Sequence, residues 1–272
     1  MDGKLFYVVD AGGSKTDVAI VSTNATKLLT LKGYNPNRAE DNIFKELNQL
    51  IDSNAPVYFY GSGLSKPKNQ IFVENQIKSK NVYAYSDVLG SARALLKHKK
   101  GIVSILGTGG VVAYFDGISV KEMKGGYGYL IDDYGGGLEL SKIIISKWLN
   151  NDFNSNTSQV IEKHFSCKKE DFIPIFYQKK DINHLSKLCH KLPQLVISDK
   201  ILHESVIQYF NTFIERHLLT LMKKYDFNNI SFTGSIAHHF SFLLNESLTK
   251  YNFNSELIIK KPIYKLVDFH KE

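Results

Sequence analysis

Short apolar runs open the chain. Residues 5–9, 16–22 and 27–32 read as three successive strands joined by short turns, which predicts an antiparallel meander. The period then lengthens: Ile43, Phe44, Leu47, Leu50 and Ile51 share one helical face. "PVYFYGSG" reads as a strand ending at a Gly turn and residues 68–79 as a helix, followed by "VYAYSD" as a strand and "VLGSARALLKH" as a helix. The order is βββ-α-β-α-β-α.

Beyond "KHKK" at 97–100 the order begins again. "GIVSILG", "GVVAYFD" and "ISVKEM" are three strands with Gly turns between them, and residues 138–149 are helical. No strand signal follows until about residue 225, and this stretch holds an amphipathic helix with Ile201, Leu202, Val206, Phe210, Phe213, Ile214, Leu218 and Leu221 on its apolar face. "NISFTG" is then a strand, "SIAHHFSFLLNESL" a helix, "ELIIKK" a strand and "YKLVDFHK" a closing helix. So βββ-α-β-α-β occurs twice, with a helical insert in the second copy and little identity between the halves. A duplicated α/β fold follows, with ligands expected in a cleft where strand-end loops of the two halves face each other.

At 272 residues, with 43% hydrophobic and 22% charged side chains, the chain has the composition of a globular protein with a sizeable core. The net charge of +7 is spread along the sequence, which suits anionic small molecules and argues against nucleic acid. Cys167 and Cys189 form no C-x-x-C pair and match no zinc spacing, so both are read as free thiols in a reducing compartment. The chain runs from Met1 into a strand without a signal-peptide pattern, and no apolar stretch approaches the roughly 20 residues that span a bilayer. The expected setting is cytoplasmic, away from membranes.

The candidate chemistry sits in Gly-rich loops. In the first copy Asp10 ends a strand and Ala11, Gly12, Gly13, Ser14 and Lys15 turn into the next; in the second, Gly107, Thr108, Gly109 and Gly110 do the same. Glycine lets backbone amides approach an anion, hydroxyls add donors, Lys15 adds charge, and Asp10 is placed to hold Mg²⁺ through water. The alternative is that Gly-Gly only supplies positive φ for tight hairpins. Two such loops at equivalent places suggest a pair that clamps a polyphosphate. In a third loop, "FTGSIA", Gly234 makes the turn and Ser235 is expected as N-cap of a helix whose N-terminus suits phosphate, although a plain strand–Gly–helix junction reads equally well.

Asp87 closes "VYAYSD". It is either an ordinary N-cap of the next helix or a base at the C-terminal end of a strand, able to take a proton from a hydroxyl attacking a γ-phosphate. Asn35 and Asn37 in "GYNPNRA", and Asp132 and Asp133 in "GGYGYLIDDYGGG", are the group types that recognise sugar hydroxyls. Turn chemistry explains "NPN" equally well.

Taken in order, these loops resemble the sugar-kinase/heat-shock-ATPase/actin superfamily. More narrowly they resemble the N-acetylglucosamine kinase branch among the BadF/BadG/BcrA/BcrD-type ATPases. "DAGGSKTDVAIV" is similar to the D-G-G-G/S-S/T-K-T first phosphate loop, "SILGTGG" to the L-G-T-G-S second loop and "FTGSIA" to the G-S-V/I-A adenosine loop. "SDVLGSARAL" resembles the segment carrying the family's catalytic base, "GYNPN" the stretch whose first Asn contacts the sugar, and "GGYGYLIDDYGGG" the motif ending G-D-E-G-S-G. The chain departs from these patterns on the sugar side: Asp132 stands for Gly, Tyr134 for Glu, Gly110 for the last Ser of the second loop and Asn37 for an aromatic.

The resemblance covers nearly the whole chain and implies a duplicated ribonuclease H-like, actin-like ATPase fold. Residues 1–100, joined by the closing helix 262–272, would form one domain, and residues 101–261, with an insert at about 150–225, the other. It implies Asp87 as catalytic base and Gly12, Gly13, Ser14, Lys15, Gly107, Thr108, Gly109, Gly234 and Ser235 as ATP contacts. Asn35, Asp87, Thr108 and Asp133 would be sugar contacts, and Asp10 the Mg²⁺ site. The expected protein is a homodimeric, ATP- and Mg²⁺-dependent kinase acting on the primary hydroxyl of an amino sugar, with N-acetylglucosamine first and glucosamine or N-acetylmuramic acid as alternatives. A nucleotide-binding protein or ATPase without kinase activity is the other reading. An activator of a radical dehydratase is disfavoured because no Cys borders Gly107–Gly110.

Overall fold

The computed structural model describes residues 5–34, 43–179 and 181–272. The chain divides into two compact units: Met1–Lys100 with Phe115–Val120 and Lys261–Glu272, and Gly101–Tyr114 with Lys121–Lys260.

In the first unit, β1 (Phe6–Ala11), β2 (Lys15–Val21), β3 (Thr26–Lys32), β4 (Val57–Gly61) and β5 (Val82–Ser86) form a sheet of order β3-β2-β1-β4-β5. The meander pairs are antiparallel, while β1–β4 and β4–β5 are parallel because a helix lies in each connection after β3. Side-chain alternation splits β1 between two faces. Tyr7, Val9 and Ala11 join Ile43, Phe44 and Leu47 of the helix Ile43–Asn48 in one core. On the opposite face lie the helices Asp87–Leu96 and Ile263–Lys271, the second burying Ile263, Leu266 and Val267. The last turn of the chain is tied down by an aromatic contact. His270 stacks on Tyr58 with centroids 3.7 Å apart, and its Nε2 receives the Tyr60 hydroxyl at 2.8 Å while Arg93 donates to the same hydroxyl at 2.9 Å. Burial, helped by the Arg93 charge, lowers the His270 pKa to about 4, so the neutral ring accepts.

The second unit repeats the plan. Its strands β6 (Gly101–Leu106), β7 (Gly110–Phe115), β8 (Val120–Gly125), β9 (Asn229–Thr233) and β10 (Asn254–Ile259) run in the order β10-β9-β6-β7-β8, with β9 parallel to both neighbours whose pairing bears on the site. Trp148, Phe210, Phe213, Phe232 and Leu244 lie at the centre of its core. The expected insert is helical, with Ser155–Phe165, Lys169–Lys179 and Ile182–Lys187 as its first helices. Two expected elements are interrupted. The amphipathic helix is α-helical over Lys200–Phe213 and Leu219–Tyr225 but passes through a π-turn at Ile214–Leu218, which buries Ile214, His217 and Leu218. The helix after "FTG" is two helices, Ser235–His239 and Ser241–Lys250, broken at the buried Phe240, whose φ of −108° and ψ of 24° leave the helical basin. Among the described residues no helix is long and apolar enough to cross a membrane.

Candidate active site

The first unit gathers Asp10, Lys15 and Asp87. Asp10 lies on the sheet face opposite the Tyr7–Val9–Ala11 core, near the end of β1, with Asp17 directly across on β2. Burial, then the charges of Asp17 and Asp87, push its pKa up to about 7, while Lys15 and Lys261 pull the other way. A carboxylate so burdened gains from a cation, so its environment fits the expected Mg²⁺ position.

Asp87 is not the N-cap. Ser86 holds that place, its hydroxyl accepting from the Leu89 amide at 3.2 Å, and Asp87 is the first helical residue. Its Oδ1 accepts from the Val88 amide at 2.9 Å, and burial raises its pKa to about 6. The capping explanation for Asp87 therefore falls to its neighbour, and a carboxylate with a near-neutral pKa is left at the mouth of the helix.

The first loop is pinned from behind. The Gly12 amide donates to the Lys15 carbonyl at 3.0 Å, the Tyr34 amide donates to the Gly12 carbonyl at 2.9 Å, and a Cβ on Gly33 would come within 2.5 Å of the Gly13 carbonyl oxygen. Tyr34 leads directly to Asn35, but Asn35 and Asn37 lie outside the described residues.

The second unit packs Gly109 against Asp133 and Gly234 against the Leu106–Gly107 backbone, with Thr108 between and Ser235 next in the chain after Gly234. The Gly137 and Leu138 amides donate to the carbonyls of Gly107 and Thr108 at 2.8 and 3.0 Å. A Cβ on Gly109 would meet the Asp133 carboxylate at 2.5 Å, and one on Gly136 would meet the Gly109 backbone at 2.4 Å. Asp133 accepts from the Gly128 amide at 3.1 Å, and burial raises its pKa. Gly234, not Ser235, is the N-cap: its φ is +113°, and any Cβ there would lie 2.2 Å from the Leu106 carbonyl oxygen. The close approach of β6 and β9 demands glycine at that turn, which moves Ser235 to the first helical position.

Two glycines behave differently. A methyl on Gly13 or Gly107 would meet nothing within 4 Å, and neither has positive φ. Hairpin geometry therefore does not account for them, and the polypeptide itself does not require them. Gly13→Ala and Gly107→Ala are expected to leave the melting temperature unchanged or raise stability by about 0.4–1 kcal/mol, while weakening nucleotide binding. Gly234→Ala is expected to cost more than about 3 kcal/mol. Thermal unfolding beside nucleotide titration separates the two classes; nucleotide affinity unchanged in both alanine variants would contradict a phosphate role for the loops.

The unusual Asp132 and Tyr134 are accommodated by the helical segment around the π-turn. Asp132 Oδ1 lies 3.1 Å from His217 Nε2, its Oδ2 lies 3.4 Å from Arg216, and the Arg216 guanidinium sits 4.8 Å from the Tyr134 ring centre. Tyr134 stacks on Tyr209, whose hydroxyl donates to the Gly136 carbonyl at 2.6 Å and accepts from the Gly135 amide at 2.8 Å. None of Tyr209, Arg216 or His217 stands out in the sequence, because the π-turn that aims His217 leaves no periodic trace. Cys189 is a core thiol against Ser141 and the Gly137 carbonyl, pushed by burial up to about 12. Such a thiol is poorly suited to ligate a cluster.

No family model matches the chain. An N-acetyl-D-glucosamine kinase of Dictyostelium discoideum is 24% identical over 212 residues, covering 66% of this chain and 66% of its own length, so the match spans just under two thirds of that relative. Among solved structures, the proposed N-acetylglucosamine kinase of Porphyromonas gingivalis superimposes with a TM-score of 0.85 at 24% identity, over 97% of this chain and 98% of its own. The proposed N-acetylglucosamine kinase of Chromobacterium violaceum gives 0.75 at 12% identity over 97% and 98%. The chain thus has the duplicated actin-like ATPase fold of the sugar kinases, and in both sequence and fold it is similar to N-acetylglucosamine kinases.

Proposed function

We propose that the chain is an ATP-dependent kinase that phosphorylates the primary hydroxyl of an amino sugar, with N-acetylglucosamine as the first substrate. The observation that carries this reading is Asp87: uncapped by role, half-buried, and poised at about 6. A base with that pKa accepts a proton at neutral pH without being held permanently protonated. As the sugar hydroxyl oxygen forms its bond to the γ-phosphorus, its proton passes to Asp87, the bond from the γ-phosphorus to the bridging oxygen breaks, and ADP departs. Lys15, Ser14, Thr108 and the amides at Gly12, Gly13, Gly107 and Gly109 are assigned to the phosphates, where preorganised donors act on the charge that spreads in transfer. Mg²⁺, when bound, neutralises phosphate charge; Asp10 would hold it through water. Gly234 and Ser235 are assigned to the nucleoside end, and Asn35, Thr108 and Asp133 to the sugar. Glucosamine and N-acetylmuramic acid are the alternative acceptors, because Asp132 and Tyr134 alter the sugar side. The reading includes a homodimer in the cytoplasm, carried by the family resemblance.

ADP release measured over a panel of hexoses and amino sugars tests the proposal. N-acetylglucosamine is expected to stimulate release most. ATP binding with no stimulation by any amino sugar would favour a nucleotide-binding protein that has lost transfer.

A further inference from the structure

One polar row crosses the first sheet. Thr30, Asp17, Asp10, Tyr60 and Tyr85 are successive register partners on β3, β2, β1, β4 and β5, so their side chains share a face. Asp17 is the buried carboxylate of the row, its side chain 5% exposed. A buried carboxylate needs partners, and Asp17 has an unusual set. Its Oδ1 accepts from the Thr30 hydroxyl at 2.8 Å and from Lys261 at 3.1 Å, while its Oδ2 lies 3.0 Å from Lys261 and 3.3 Å from Lys15. Two ammonium groups thus share one carboxylate beside the first loop, with Asp10 as the next carboxylate in the row. Both reach solvent, the Lys15 side chain being 51% and the Lys261 side chain 34% exposed. Asp10 feels both cations.

Lys261 arrives from 244 residues away. It stands just before Pro262 and the helix Ile263–Lys271, so the packing of that helix on the sheet fixes where the ammonium group emerges. Lys15 and Asp17 are two residues apart on β2 and share a face, so Lys261 meets the same carboxylate as the lysine of the first loop, with both ammonium groups open to solvent.

We propose that Lys261 is a second phosphate-binding cation of the nucleotide site, and that Asp17 is the positioning residue that holds Lys15 and Lys261 together for a polyphosphate. The proposal rests on the nucleotide reading of the Gly12–Lys15 loop, and its test keeps the two apart. Calorimetric titrations of the full chain use ATP, adenosine and inorganic tripolyphosphate. Lys261→Met is expected to weaken ATP and tripolyphosphate at least tenfold and leave adenosine unchanged. Lys261→Arg should stay within about threefold of wild type, because it keeps the charge. Lys265→Met, at an exposed position on the same helix, should match wild type. Asp17→Asn removes a negative charge near the phosphates, yet it is expected to weaken tripolyphosphate because the lysines lose their common anchor; tighter binding would overturn the positioning role. Wild-type affinity in Lys261→Met, with only a lowered melting temperature, would reduce Lys261 to a staple. If wild type binds tripolyphosphate but not ATP and Lys261→Met loses it, the cation site stands and the nucleotide reading falls. Binding of neither overturns both. Should Lys261→Met not fold, acetylation of wild-type lysines followed by mass spectrometry decides: tripolyphosphate is expected to protect Lys261 severalfold, and no protection would overturn the proposal.

Discussion

Asp87→Asn is expected to lower sugar phosphorylation by about a hundred- to ten-thousand-fold while ATP affinity stays within about twofold. The amide can keep the hydrogen bond from the Val88 amide, and Ser86 still caps the helix, so the fold has little reason to change. What disappears is the proton acceptor. The pH profile carries a second signature. Burial raises Asp87 to about 6, so the base is ionised above that value and the wild-type rate should fall as pH drops through it. In the variant that acidic limb should vanish from the residual rate. A variant that phosphorylates sugar as fast as wild type would remove Asp87 from the mechanism and leave its near-neutral carboxylate unexplained.

Asp10→Asn should abolish Mg²⁺-dependent turnover and, in the same stroke, stabilise the free protein at pH 8. The folded state holds the Asp10 proton up to about pH 7, whereas an ordinary aspartate releases it near 3.8. Between those values the folded state binds more protons than the unfolded one. Stability therefore falls as pH rises through that window, and the loss persists above it. Because Asp10 keeps some contact with solvent, the expected gain from neutralising it is discounted to about 1–2 kcal/mol, or roughly 2–6 °C in melting temperature. The gain should shrink toward pH 4, where wild type carries the proton itself. An Asp10→Asn chain that is less stable at pH 8 would show that Asp10 serves the fold and not the site. The trade is the one expected where a carboxylate is kept in an unfavourable place for a cation.

The short apolar runs that became β1, β2 and β4 were legible because these strands are buried along most of their length. The Gly-rich turns were legible from composition, whereas the open space that a methyl on Gly13 or Gly107 would meet is visible only in the structure. Boundaries were less readable. Asp87 and Ser86 are both good capping residues, and only the observed bond to the Leu89 amide separates cap from candidate base. At Gly234 the deciding contact is the Leu106 carbonyl on another strand, which no local pattern reports. The π-turn at Ile214–Leu218 preserves an apolar stripe on average while shifting His217 toward Asp132. Lys261 was invisible for the plainest reason: its carboxylate partner lies at the opposite end of the chain.

The most direct measurement is the product of a single incubation. Purified protein, MgATP and N-acetylglucosamine, analysed by mass spectrometry and phosphorus NMR, should yield N-acetylglucosamine 6-phosphate and ADP in equal amounts, and the Asp87→Asn chain should form them at least about a hundredfold more slowly. ATP bound but unconsumed, or ADP released without any phosphorylated sugar, would contradict the kinase account.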